Sequence, residues 1–222
     1  MKTIKVKKLT KEAFAPYGEV LTIEGREAGG NPASQMEKQQ NSELSAADAE
    51  FVELVSSISM GSRLAIEEGF IQHGDTTCLK HSVAVAYFSY RAAIHYGWMG
   101  FRLFELVRGA ILHDYFLYDW HDTTPKNGLH GFSHPYTAFC NALGDFDLTE
   151  IEVDVIVKHM FPLTPIFPRF KESAVVSIMD KICSLYEVFG RNTYKIPAIR
   201  LAHAKILEHA RVKVPVIAEG AE

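Results

Sequence analysis

Residues 103–118 read LFELVRGAILHDYFLY. Leu103, Leu106, Val107 and Ala110 recur at helical spacing, and His113-Asp114 continues that row at its end. An apolar helix face does not bury an aspartate beside a histidine unless a partner or a metal compensates. Taken alone, the dipeptide reads better as a satisfied core histidine next to a capping aspartate. The rest of the chain decides between the two.

Upstream, His81 shares a face with Ala84, Val85, Phe88 and Ala92 in a long helical pattern opened by Asp75-Thr76-Thr77. Downstream, His159 falls on the row of Ile151 and Val155, and Asp180 on the row of Val176 and Cys183. His130 and His134 lie between. Imidazoles and carboxylates on the inward faces of separate helices, gathered in one core, call for a metal. A second His-Asp pair, His121-Asp122, runs into Thr-Thr-Pro and is expected in solvent.

Further helices are expected from Ser45, which can cap a stripe of Phe51, Leu54, Val55 and Ile58, and over Arg63–Phe70. The row around His113-Asp114 predicts a helix from Phe101 to Phe116, followed by a polar loop, Asp119 to Gly131. Four more fall near 134–143, 149–160, 171–189 and 196–210, with Thr149 and Glu152 forming a capping box. Strand signals after residue 45 are weak. The first 25 residues differ: Thr3 to Lys7 alternate as a short strand would, and Gly25 to Ser42 have the composition of a linker.

At 222 residues and 47% hydrophobic, the chain can bury one substantial core. Its net charge of −4 is scattered, with no basic run or stripe suited to duplex nucleic acid. Cys78, Cys140 and Cys183 are widely spaced and read as reduced, buried thiols. The lysines of MKTIKVKKLTKEAF precede no apolar signal region, and no apolar stretch reaches the roughly 20 residues of a membrane span. A soluble cytoplasmic protein is expected.

The order His81, His113-Asp114, His134, His159, Asp180 resembles the HD superfamily of metal-dependent phosphohydrolases over roughly residues 60–190. The resemblance implies an all-α fold, an HD-type helical bundle over 43–222; the pattern and composition of 1–42 give a short, mostly irregular or β-like appendage and linker before it. It further implies that His81, His113, Asp114 and Asp180 hold one divalent metal. Asp114 would bridge to a second one completed by His134 and His159. His130 competes for the place of His134, which is favoured because Pro135 and Ala138 suit a helix start. The N-terminal LTKEAFAPYGEVL is similar to the start of ureidoglycolate lyases, over about 25 residues and without their catalytic residues.

Imidazole-rich ligation favours Mn, Fe, Co, Ni or Zn over Mg. Two such ions lower the pKa of a water held between them, and the hydroxide attacks phosphorus in line. The expected activity is hydrolysis of a small phosphate ester, nucleotide or otherwise. Many HD proteins carry a lysine shortly after the His-Asp. Here Tyr115-Phe116-Leu117-Tyr118 follows, and no basic residue comes before Lys126. Lys158 and Arg169 are therefore candidates to act beside His113 and Asp114, and Lys80, Lys181 and Tyr115 to hold substrate. Two alternatives share the ligand set: a di-iron oxygenase on the HD scaffold, and a non-catalytic metal- or ligand-binding module.

Overall fold

The computed structural model describes residues 44–119, 130–190 and 194–212, with residues 130–132, 211 and 212 by backbone alone. The expected strand at 3–7, the segment and linker over 1–42, and His121-Asp122 lie outside the described residues.

The described chain is built almost wholly of helices. They are α1 (Ala46–Ser59), α2 (Cys78–His95), α3 (Leu103–Leu112), α4 (His130–Asp145), α5 (Glu150–Lys158), α6 (Lys171–Phe189) and α7 (Pro197–Val212). Short 3-10 helices span Leu64–Gly69 and Gly97–Met99, and a hairpin pairs β1 (Ile71–His73) with β2 (Thr76–Thr77). No described helix is long and apolar enough to cross a membrane.

The termini follow local chemistry. Ser45 Oγ accepts from the Asp48 N–H at 3.2 Å and caps α1, whose Phe51, Val52, Val55 and Ile58 are buried. Thr149 and Glu152 close the expected capping box on α5. Helix α2 is buried on nearly all sides, as befits the middle of a bundle. It packs against α3, α6 and α7, while α3 packs on α5 and α5 on α4 and α6. The α3–α5 crossing is close because residue 109 is glycine: a Cβ there would stand 3.0 Å from Val155 Cβ.

Three boundaries differ from the sequence expectation. The Arg63–Phe70 helix is a 3-10 helix over Leu64–Gly69. The hairpin that follows was not foreseen, and it turns at Gly74 with φ 57. Helix α3 stops at Leu112, so His113 is its C-cap and Asp114 lies beyond its end. Helix α4 starts at His130, with Pro135 inside it. The shift in α3 moves His113 to a helix terminus, and the shift in α4 moves His134 into a helix interior. Cys140, expected to be buried, is exposed on the surface of α4, whereas Cys78 and Cys183 are buried.

Candidate metal centre

His81 sits one turn into α2, His113 caps α3, and His159 caps α5. His134 lies in the first half of α4 and Asp180 in the middle of α6. With Asp114, all six side chains are buried and meet at one point between the helices.

Their geometry divides around Asp114. Its Oδ2 lies 3.3 Å from His113 Nε2 and 3.8 Å from His81 Nε2. Its Oδ1 lies 3.3 Å from His134 Nε2 and 3.5 Å from His159 Nε2. Asp180 Oδ1 adds to the first set, 3.3 Å from His81 Nε2 and 3.9 Å from His113 Nε2. Ligand atoms in the triads His81/His113/Asp114, His113/His159/Asp180 and Asp114/His134/His159 lie within 4.8 Å of one another. These buried groups can hold a metal ion.

The imidazoles are oriented from behind. His113 donates Nδ1–H to Ala110 O at 2.7 Å, and His159 donates Nδ1–H to Ile156 O at 2.8 Å. Each thereby satisfies a last-turn carbonyl of its own helix and turns Nε2 toward Asp114. His81 Nδ1 meets both oxygens of the buried Glu187 carboxylate at 2.9 and 3.0 Å, and Tyr194 Oη donates to Glu187 Oε1 at 2.6 Å. Gln72, from the hairpin, donates to Asp114 Oδ2 at 2.7 Å. His81 Nε2, His113 Nε2 and Asp114 Oδ1 are buried with no hydrogen-bond partner. Such orphaned atoms are rare in folded proteins, and a cation is the group that satisfies all three.

Charge points the same way. Three carboxylates (Asp114, Asp180, Glu187) crowd the cluster, and Lys181 is the ammonium beside them, 2.6 Å from Asp180 Oδ2. Burial alone would raise Asp114, but His113 and His134 outweigh it and hold its carboxyl well below the usual range. Asp180 is likewise lowered: burial opposes, and His81, His113 and Lys181 prevail. Burial, followed by the neighbouring His113, pushes His159 down to about 3. Its neutral Nε2 therefore accepts from His134 Nε2 at 2.8 Å. His81 goes the other way: burial opposes its charge, but Glu187 and Asp180 hold it well above the ordinary value. The centre is built to surround positive charge.

A cavity of about 260 Å³ opens on Asp114, His134, His159 and Asp180, with Gln72, His73, Leu163, Lys181 and Ser184 in its walls. Of the candidates for holding or acting on substrate, the structure brings Lys181 here. Its Nζ also donates to His159 O at 2.8 Å. The others are elsewhere. Lys158 pairs with Asp154 one turn back on its own helix. Arg169 is 71% exposed and stands 3.6 Å from Glu150. Tyr115 is buried and spends its hydroxyl on Asp145 at 2.6 Å and on the Arg63 N–H at 2.9 Å. Lys80 lines a different cavity. The backbone of His130 opens α4, but its side chain lies outside the described residues.

Gln72, His73, Glu187 and Tyr194 were not singled out from the sequence. Glu67 was also missed. Both of its carboxylate oxygens are buried without a partner. Burial, and then the charge of Asp114, raise its carboxyl well above the ordinary value.

Comparison of the chain with protein-family models, curated proteins and solved structures found no match.

Proposed function

We propose that the chain is an HD-type, metal-dependent hydrolase of small phosphate esters. One observation carries this reading: the two oxygens of Asp114 face two separate ligand sets, His81/His113/Asp180 and His134/His159. A carboxylate so placed suits a pair of cations, and the imidazole-rich set suits Mn, Fe, Co, Ni or Zn better than Mg. When bound, such a pair supplies Lewis acidity and a water of lowered pKa.

The chain's own residues account for the rest. The helix-capping bonds of His113 and His159 and the Glu187 contact of His81 fix three ring orientations before any ligand arrives. Gln72 holds the Asp114 carboxylate in one orientation. Lys181 uses two donors on Asp180 and His159 O, and its third is available to a phosphate oxygen. The small cavity suits a phosphate group with a modest leaving group.

The test is anaerobic incubation of purified protein with Mn, Co or Fe and a panel of phosphomonoesters and phosphodiesters. Metal-dependent phosphate release is expected. Turnover that requires oxygen, with no phosphate released from any ester, would instead establish the oxygenase reading.

A further inference from the structure

A second cavity, of about 540 Å³, shares no lining residue with the metal centre. Its walls carry Lys80 from α2, Lys195 just before α7, and Arg200 in the first turn of α7. Among the described residues, no carboxylate pairs with any of these three cations. Asp75 is the acidic residue in the lining. His203 is already matched, 2.8 Å from Glu68 Oε2. Three cations against Asp75 and the Glu68 carboxylate behind His203 leave the wall with an excess of positive charge.

Two helices, α2 and α7, also begin at this cavity. Their positive dipole ends add to the side-chain charge. Buried Ile199 and Tyr194 form an apolar stretch of the wall.

We propose that this cavity is a binding site for the dianionic phosphate of a small phosphate monoester, distinct from the metal centre. The positive excess suits a phosphate group. A lone phosphate would fill only a small part of the volume, and the Ile199–Tyr194 wall accommodates the remainder of an ester. The size is within the usual range for small-molecule sites. The proposal does not depend on what the metal centre does. It does link the two places: Tyr194 is in the wall of this cavity, and its hydroxyl donates to Glu187, which holds His81. A ligand resting on Tyr194 therefore touches the first member of a hydrogen-bonded chain that ends at a metal-site imidazole.

Calorimetric titration of full-length, metal-loaded protein with inorganic phosphate and with phenylphosphonate tests the site. Phenylphosphonate is a non-hydrolysable probe of the apolar wall. Both should bind, the phosphonate more tightly. The double variant Lys195→Ala/Arg200→Ala should lose this binding event, or weaken it by at least about tenfold, because two charge-assisted contacts go with it. Both residues are exposed, so the fold does not rest on them. His134→Ala, which alters the metal centre, should retain the event. Affinity unchanged in the double variant, loss of all binding in His134→Ala, or no binding by the wild type would overturn the site. Equal affinity for the two probes would overturn the monoester assignment.

Discussion

His113 and His159 end two neighbouring helices in the same way, each donating Nδ1–H to the carbonyl three residues before it. Their rings lie 4.9 Å apart at 80° to one another. The contact between α3 and α5 at Gly109 and Val155 sets that spacing from one turn below. The metal centre therefore depends on how closely two helix ends approach, as well as on which residues they carry.

Gly109→Ala tests this dependence. The added methyl meets the branch point of Val155, which is tied to its backbone and cannot swing away. Overpacking of this kind costs about 1–3 kcal/mol, against less than about 1 kcal/mol gained in helix propensity. The expected result is a lower melting temperature together with weaker metal binding. Unchanged metal affinity would mean that the helix spacing does not control the site.

Glu187 holds His81 from behind, and on the proposed function it acts through that imidazole on a bound metal. Glu187→Gln keeps the shape but removes the charge behind the imidazole, so metal affinity should fall by about 10–100-fold with the helical content retained. Competition against a chelator of known affinity measures it. A change below about twofold would reduce Glu187 to a packing residue.

Glu67 makes stability depend on pH. Its folded carboxyl is raised above the ordinary 4.5, so it keeps a proton that the unfolded chain has already released. Rising pH above about 4.5 therefore favours the unfolded chain, by up to about 1.4 kcal/mol per pH unit, until the folded group ionises. Glu67→Gln removes that term. Melting curves of the two proteins from pH 5 to 9 should diverge, the variant gaining relative to wild type as pH rises. Parallel curves would show that Glu67 ionises normally.

His134→Ala and His159→Ala each remove a ligand on the Oδ1 side of Asp114. On the proposed function, turnover should fall further than KM rises, since the second cation acts mainly on the transition state. Steady-state kinetics on any ester that is hydrolysed give the split. Full turnover in both variants would assign the chemistry to the His81/His113/Asp180 side alone.

The buried His/Asp cluster was legible because helical periodicity puts His81, His159 and Asp180 on apolar rows, where a polar residue stands out. The residues that orient the ligands were not legible in this way. Glu187 is 106 residues from His81, and Gln72 is 42 from Asp114. Nothing in the local pattern around either one marks its partner. The hairpin carrying Gln72 did have a signal, Gly74-Asp75 between short extended runs, which the surrounding helical pattern masked. Lys158 was open to a simpler reading, since Asp154 lies four residues earlier on the same face. Tyr115 looked like a substrate wall in sequence, yet its hydroxyl is spent on Asp145, 30 residues away. Position on a helix face was readable, whereas pairing across the bundle was not.

The most direct test of the central claim is the metal content of full-length protein purified without added metal or chelator, measured by mass spectrometry beside Asp114→Ala. The account predicts one to two equivalents of a transition metal in the wild type and almost none in the variant, since Asp114 faces both ligand sets. Wild-type protein that carries no metal, and whose melting temperature does not move when Mn, Fe, Co, Ni or Zn is added, would contradict it.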